Sequence, residues 1–505
     1  MSCDVGVYGL AVMGLNLSLN MASKGFKVCV CNRTPSKITV AVQKAQEQKL
    51  KNYIGIEATS EFVAALKRPR RIVMMVQCGA PVDALIEHFL PLLDKGDCLV
   101  DGGNEFFENT ERRGRLCAAK GILYMGLGVS GGEEGARYGP SLMPGGSPEV
   151  WELMKPILVQ IAAKVDPNGA VPAPGATTFT QAELENACVT HIGPGGSGNY
   201  VKMVHNGIEY GDMQLIAEAY YLLKYVCGQS NDQMEKTLAQ WNKGPLNSYL
   251  IELTSKILAK KDSLTDAYLL DKILDAAGSK GTGKWTVQQA AEAGVAVPTI
   301  AAGLDMRYIS DNIELRQNMA AVYAKSWPAG SSLRSGNETL CGDIEKALLC
   351  GKICCYAQGM QLLSVVSERK GWNLNLAEIS RIWKGGCIIR AAFLDTMRKA
   401  FFASPSLKNL LMDPQIAEIM LANIPSLQRV VATSLSTAFP FGEQSFPIHL
   451  SVPCHSASYF YLAANASDRL PLNLVQAQRD AFGSHTFKRI DRDGVFHEEN
   501  WTTGV

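Results

Sequence analysis

Three side chains on one predicted helix could do chemistry together. In Asn199-Tyr200-Val201-Lys202-Met203-Val204-His205-Asn206-Gly207-Ile208-Glu209-Tyr210, Lys202, Asn206 and Glu209 stand at i, i+4 and i+7. At 100° per residue they share a face. A lysine and a carboxylate two turns apart are a base and an acid that can act on one substrate. For that, burial or neighbouring cations must depress the lysine. An amphipathic surface helix would carry the same pair solvated. Against that reading stand Asn206 on the same face, His205 beside it and Gly195-Gly196-Ser197-Gly198 as the helix entry.

A second chemical signal lies at the start of the chain. The strand Asp4 to Tyr8 runs into Gly9-Leu10-Ala11-Val12-Met13-Gly14, a G-x-A-x-x-G pattern, then a helix to Lys24 and a strand from Phe26 to Cys31. Small residues let the backbone turn tightly and approach a pyrophosphate, which rests on the free amides of the helix N-terminus. After the second strand an NAD site normally places Asp or Glu, whereas this chain has Asn32-Arg33-Thr34. Arg33 can pair with and stack on a 2′-phosphoadenosine, with Asn32 and Thr34 adding neutral hydrogen bonds, so NADP is the expected cofactor. The bland alternative for Arg33 is a solvated turn residue before Pro35.

Three further strand signals follow, Arg71 to Val76, Asp97 to Asp101 and Ile122 to Gly126, alternating with helical stretches. This pattern predicts an α/β, doubly wound parallel sheet of Rossmann type. Ligands lie beyond the carboxyl ends of such strands, so Val76-Gln77-Cys78-Gly79, Gly102-Gly103-Asn104 and Gly128-Val129-Ser130-Gly131-Gly132 are expected at one crevice. From about residue 196 helical spacing dominates to about 467. The expected domains are 1–195, Rossmann-like and NADP-binding; 196–467, large, all-α and catalytic; and a C-terminal tail, 468–505.

At 505 residues the chain is too long for one core, and roughly 150 residues per domain gives about three units. Its 49 basic and 48 acidic residues leave a net charge of +1, so no global field draws nucleic acid or an anionic membrane. An anionic ligand must be held by a local cluster. The 14 cysteines lack the spacing of a disulfide scaffold and are expected to be reduced and mostly buried. No window approaches eighteen consecutive apolar residues, and Met1-Ser2-Cys3-Asp4 leads straight into a strand without a basic-then-apolar leader; cytoplasmic residence is expected. The histidines show no ligand spacing, and no metal is expected.

With these motifs in place the chain resembles the decarboxylating 6-phosphogluconate dehydrogenases, from about residue 4 to residue 488. The resemblance rests on the glycine turn, Asn32-Arg33-Thr34, Asp101-Gly102-Gly103-Asn104, Ser130-Gly131-Gly132-Glu133-Glu134-Gly135-Ala136 and Lys202 to Tyr210. It also rests on Gly278-Ser279-Lys280-Gly281-Thr282-Gly283-Lys284-Trp285 and on Gln476-Ala477-Gln478-Arg479-Asp480 with Phe482, Gly483 and His485.

The resemblance implies an enzyme of the pentose phosphate pathway that oxidises carbon 3 of 6-phosphogluconate with NADP, loses carbon dioxide and yields ribulose 5-phosphate. By it Lys202 is the base and later polarises the carbonyl, and Glu209 protonates carbon 1 of the enediol. Asn104, Ser130, Gly131, Gly132, His205 and Asn206 would hold the substrate's carboxylate and hydroxyls. Tyr210, Lys280, Arg307, Arg479 and His485 would hold its phosphate. It further implies a homodimer in which the tail of one subunit, with Arg479 and His485, completes the site of the other.

Three places depart from the family pattern. Gln77-Cys78 stands where many members carry Lys-Ala, residues 166–187 form a longer connection, and Ala481 replaces a bulkier aromatic. Asp491 to Val505 is expected to fall outside the resemblance. Two other functions remain open here: an NADP-dependent 3-hydroxyacid dehydrogenase without decarboxylation, which has no use for Glu209 or a distant phosphate cluster, and a catalytically silent NADP-binding dimer.

Overall fold

The computed structural model describes residues 2–165, 176, 178–323, 338–436, 438–439, 448–449 and 451–501. The residues divide into two compact units, Met1–Ser458 and Tyr459–Val505.

The first unit opens with seven strands in the order β3-β2-β1-β4-β5-β6-β7. They are β1 (Val5–Tyr8), β2 (Val28–Cys31), β3 (Tyr53–Gly55), β4 (Arg71–Met74), β5 (Cys98–Asp101), β6 (Leu123–Val129) and β7 (Leu142–Gly146). Strands β1 to β6 are parallel, and the order reverses at β1, where β2 lies on one side and β4 on the other. The helices between them are α1 (Val12–Ser23), α2 (Pro35–Glu47), α3 (Thr59–Ala64), α4 (Ala80–Phe89), α5 (Phe107–Ala118), α6 (Gly132–Tyr138) and α7 (Pro148–Ile161).

Alternate side chains of each strand enter opposite cores. Val28 and Val30 pack with Leu17, Met21 and Leu158 on one face. Cys29 and Cys31 pack with Phe62, Ile86 and Phe89 on the other. With both faces covered, the strands read as short apolar runs rather than alternating ones.

Two strands escaped the sequence reading. β3 has three residues and lies at an edge. β7 is antiparallel to β6, pairing Val129 with Leu142 and Met125 with Gly146. The two-turn helix α6 is too short to carry the chain back to the far end of the sheet, so the chain reverses beside β6. Its sequence, Leu142-Met143-Pro144-Gly145-Gly146, hides the strand because proline and glycine argue against one.

Among the described residues from 178 onward the chain is mainly helical, apart from an antiparallel pair of two-residue strands, Ala438–Phe439 and Ile448–His449: α8 (Gln181–Glu185), α9 (Ser197–Tyr225), α10 (Asn231–Trp241), α11 (Tyr249–Ala259), α12 (Thr282–Ala293), α13 (Pro298–Asp311) and α14 (Ile313–Tyr323) come first. Then follow α15 (Glu338–Lys370), α16 (Leu376–Ile382), α17 (Phe393–Ala403), α18 (Pro414–Ser436), α19 (Pro453–Asn465) and α20 (Leu472–Gly483). α9 is the central element, packed against α12, α13 and α15 as well as β6 and β7. Within α15, Thr339–Lys370 is long and apolar enough to cross a membrane by composition, but 83% of its most apolar window is buried among the other helices.

Of the longer connection at 166–187, residues 166–175 and 177 lie outside the described residues. Its described end docks through Phe179, whose ring lies 3.9 Å from Lys164 Nζ and 4.6 Å from Lys24 Nζ. In the second unit Asp480 is 1% exposed and accepts hydrogen bonds from Thr486 N, Glu498 N, Trp501 Nε1 and His497 Nδ1 at 2.7–3.0 Å. Burial opposes its ionisation, yet these donors hold the carboxyl well below the usual range. The stretch after Lys488 is therefore folded around Asp480.

The cysteines are not all reduced. Cys227, just past α9, and Cys341, on α15, form a disulfide across 114 residues. The other twelve are free thiols, and eleven of those are buried. A pair so far apart in the chain has no spacing signature.

Candidate active site

At the carboxyl end of β1 the turn is built as its glycines require. Gly9 has φ 101°, and a Cβ there would strike Met75 O; a Cβ at Gly14 would strike Gly9 O. α1 then starts with no side chain capping its first amides. An uncapped N-terminus beside a tight turn offers its amides to an anion.

The cleft next to this turn holds about 870 Å³ and is lined by Gly9, Leu10, Ala11, Asn32, Arg33, Thr34, Val76 and Gln77. Arg33 is exposed and has no hydrogen-bonding partner among the described residues, so its guanidinium is available to a ligand. Asn32, which lines the cleft, also serves the turn itself. Its Oδ1 accepts the Leu10 amide at 2.9 Å and its Nδ2 donates to Thr34 O at 3.2 Å, so it braces the turn.

Val12, Met13 and Gly14 form the first turn of α1 and carry the amides that no side chain caps. Cys78 is half-buried beside Glu105, and burial raises its thiol. It does not line the cleft. Two contributions were missed: Lys37 on α2, one turn beyond Arg33, and the α4 face carrying Pro81, Ala84, Leu85 and His88. The Arg33/Lys37 spacing was the available signal.

The donor set fits a 2′-phosphorylated dinucleotide: uncapped amides for the pyrophosphate and two cations, Arg33 and Lys37, where the second ribose lies in such folds.

The second half of the site is carried by α9. The Lys202 face is buried, so the solvated surface helix does not apply: Lys202 is 5% exposed, His205 0% and Asn206 8%. Lys202 Nζ donates to Asn206 Oδ1 at 2.5 Å and lies 3.4 Å from His205 Nδ1. His205 Nε2 lies 3.1 Å from Ser130 Oγ. Asn206 Nδ2 donates to Thr282 Oγ1 at 3.1 Å, so the amide that receives the lysine is fixed by the start of α12. Burial lowers Lys202, opposed by Glu209 and Cys387. Burial also lowers His205 well below the ordinary histidine range, with the Lys202 charge adding to it. A neutral His205 makes no ion pair with Glu209, although the two approach to 3.8 Å.

Glu209 keeps 23% of its side chain exposed. Burial raises its carboxyl, Lys202 and Arg307 pull it down, and Asp212 one turn further adds to the rise. Asp212 is itself buried against Lys352 at 2.5 Å. The environment thus favours an uncharged amine and an uncharged carboxylic acid on one face of α9.

Close helix-to-sheet contact sets these groups against the β6 loop. A Cβ at Gly126 would strike Asn199 Oδ1, and one at Gly128 would lie 2.6 Å from Lys202 Cβ. Asn199 in turn accepts from Thr110 at 3.0 Å and donates to Gly103 O at 3.3 Å, tying α9 to the loop that carries exposed Asn104. Gly128→Val is expected to push α9 outward and lower kcat at least tenfold, an effect of misplacing a reacting group. Its melting temperature and kcat, measured together, check this: a normal kcat in a folded variant contradicts it.

Ser130, Gly131 and Gly132 follow β6. Gly131 has φ 110°, and its missing Cβ would lie 2.5 Å from Gly386 O of the loop after α16. The remaining expected residues gather at the other end of the α9 face. Tyr210 Oη donates to Ser279 Oγ at 3.1 Å, and Arg307 stacks on the Tyr210 ring at 3.9 Å while donating to Gly278 O at 2.8 Å. Lys280 is exposed on the same loop, directly before the N-terminus of α12. This end combines cations, hydroxyls and a helix N-terminus, a chemistry suited to a phosphate. Ser279 and Thr282 were not singled out from sequence, although both lie in the quoted Gly278 to Trp285 motif. Arg479 and His485 stand in the second unit, on and just after α20; both are exposed, and Arg479 Nη1 donates to Gln476 Oε1 at 3.0 Å.

Comparison with known proteins places this geometry. The family model for the NAD-binding domain of 6-phosphogluconate dehydrogenase matches residues 4–171, and that for the C-terminal domain of 6-phosphogluconate dehydrogenase matches residues 198–501. The likeness therefore runs past residue 488 and takes in the segment folded around Asp480, correcting the shorter expectation.

The decarboxylating 6-phosphogluconate dehydrogenase 1 of Spinacia oleracea is 48% identical over 498 residues, 98% of this chain and 97% of the relative. That of Synechococcus elongatus is 48% identical over 496 residues, 98% of each. The 6-phosphogluconate dehydrogenase of Plasmodium falciparum, solved without ligand, with NADP+ and with 6-phosphogluconate, superposes with a TM-score of 0.88 at 45% identity. That match covers 98% of this chain and 100% of the other. The chain belongs to the 6-phosphogluconate dehydrogenase family.

Proposed function

We propose that this chain oxidises 6-phosphogluconate at carbon 3, releases carbon 1 as carbon dioxide and delivers ribulose 5-phosphate, with NADP as electron acceptor. One observation carries the reading: a buried lysine and a half-buried carboxylic acid share one helix face, with a dinucleotide cleft and a cluster suited to phosphate in the same unit. Bound NADP supplies the acceptor for the hydride leaving carbon 3.

Lys202, whose ammonium form burial disfavours, takes the 3-hydroxyl proton as that hydride departs. The resulting ammonium, oriented by Asn206 Oδ1, hydrogen-bonds the new carbonyl oxygen. When the bond between carbons 1 and 2 breaks, its electron pair moves toward that carbonyl and an enediol forms. Glu209, protonated beforehand, gives its proton to the carbon that lost the carboxylate. Asn104, Ser130, Gly131, Gly132, His205 and Asn206 are assigned to the substrate's carboxylate and hydroxyls, and Tyr210, Lys280 and Arg307 to its phosphate.

The family resemblance supports a homodimer in which Arg479 and His485 complete the neighbour's phosphate site. A 3-hydroxyacid dehydrogenase without decarboxylation would have no use for Glu209.

The two titrations run in opposite senses. Lys202 is active when deprotonated and Glu209 when protonated. Turnover is therefore expected to fall on the acid side as the amine gains a proton and on the alkaline side as the acid loses one. The apparent values belong to the coupled pair. Glu209→Gln should remove the alkaline limb from the pH profile of kcat, and a profile unchanged from wild type would take the proton donation away from Glu209.

The reading as a whole is tested by offering the protein NADP with 6-phosphogluconate and, separately, with a four-carbon 3-hydroxyacid lacking phosphate. NADPH and carbon dioxide are expected from the first alone. NADPH from the small acid without carbon dioxide would overturn the proposal.

A further inference from the structure

Arg113, on α5, is fully buried yet touches neither the cleft nor the α9 cluster. Its guanidinium donates to Asp83 through Nε at 3.0 Å and Nη2 at 2.9 Å, and Nη1 reaches Glu105 Oε2 at 2.6 Å. Nη2 also donates to Gly79 O at 2.8 Å, and Nη1 lies 3.5 Å from Asp101 Oδ2.

Glu105, 3% exposed, returns the contact: its Oε2 accepts the Gly79 amide at 2.7 Å, and its Oε1 accepts the Phe106 amide at 2.9 Å and Asn109 Nδ2 at 3.0 Å. Both backbone groups of Gly79 are therefore held, the amide by the carboxylate and the carbonyl by the guanidinium. Gly79 has φ 85° and immediately precedes α4, so it fixes how the chain leaves Val76-Gln77-Cys78.

The same carboxylate fixes the start of α5, next to Asn104. One buried charge pair thus joins the loops after β4 and β5, which face the crevice from adjacent strands.

We propose that Glu105, oriented by Arg113, is a positioning residue that sets the loop Val76 to Gly79 and the Asn104 turn at the spacing the nicotinamide end of NADP requires. The proposal rests on the reading that NADP occupies the crevice. Asp83 serves the same guanidinium from α4 but touches neither loop by its side chain. The two carboxylates therefore separate positioning from mere burial of an arginine.

Glu105→Gln keeps the volume and one carbonyl oxygen but cannot accept from both Gly79 and Arg113 as an anion. It is expected to raise KM for NADP on the order of tenfold, the effect of losing one charge-assisted hydrogen bond. Asp83→Asn is expected to lower the melting temperature comparably while leaving KM for NADP within about twofold. Asn109→Ala, which removes a single partner of Glu105, should shift KM in the same direction by a smaller factor.

These constants, the KM for 6-phosphogluconate and NADP affinity by calorimetry are measured on the full-length protein. Equal effects of Glu105→Gln and Asp83→Asn on KM for NADP would overturn the proposal, as would an unchanged KM in Glu105→Gln. Should Glu105→Gln not fold, an unchanged KM in Asn109→Ala does the same. Wild-type protein that binds no NADP would instead overturn the functional reading and this proposal with it.

Discussion

Replacing Lys202 by methionine is expected to lower kcat by about a thousandfold or more, roughly 4 kcal/mol of barrier, with NADP affinity nearly unchanged. Methionine fills a similar volume in the 5% exposed site, so the fold and the Gly128 contact persist. What disappears is the group proposed to accept the hydroxyl proton and then polarise the carbonyl. Both hydride transfer and decarboxylation lose their partner. The cleft around Arg33 is lined by residues at the ends of β1, β2 and β4, whereas α9 packs against β6 and β7, and Lys202 is not part of the cleft lining. Single-turnover reduction of NADP and calorimetric NADP binding check the two halves of this statement; substantial residual turnover would take the base role from Lys202.

Arg33→Glu is the second large effect. The guanidinium is exposed at the cleft edge, and a 2′-phosphate there would lose a charge-assisted hydrogen bond and meet a like charge instead. KM for NADP is expected to rise on the order of a hundredfold, with KM for 6-phosphogluconate unchanged and NAD favoured by comparison. Exposure makes the effect salt-sensitive, so it should shrink as ionic strength rises. Steady-state constants for NADP and NAD at two salt concentrations test it. An unchanged preference would leave cofactor selection to Lys37 and Thr34.

These two side chains were legible in the sequence because their signals are local. The glycine turn is six residues in a row, Gly9 to Gly14, Arg33 stands a fixed distance beyond it, and Lys202, Asn206 and Glu209 are placed on one face by helix geometry.

What the sequence concealed depends on residues distant in the chain. Gly126 and Gly128 look like ordinary strand residues, and nothing near them says that a helix 73 to 74 residues later, at Asn199 and Lys202, will occupy the space of their absent side chains. Arg113 reads as one of several charges on a polar helix until Asp83 and Glu105 are folded around it. Asn32 sits in a cofactor motif, and nothing beside it says that its oxygen also accepts the amide of Leu10, 22 residues earlier. β7 was hidden by Pro144 and two glycines. There, tertiary pairing overrides a poor intrinsic strand preference.

In the proposed reaction one α9 face couples oxidation to loss of a carboxylate. It is tested most directly with 6-phosphogluconate labelled at carbon 1, following NADPH and labelled carbon dioxide in the same reaction. Equal amounts of the two are expected at every time point, with both absent in Lys202→Met. NADPH accumulating while the label stays in the organic acid would contradict it.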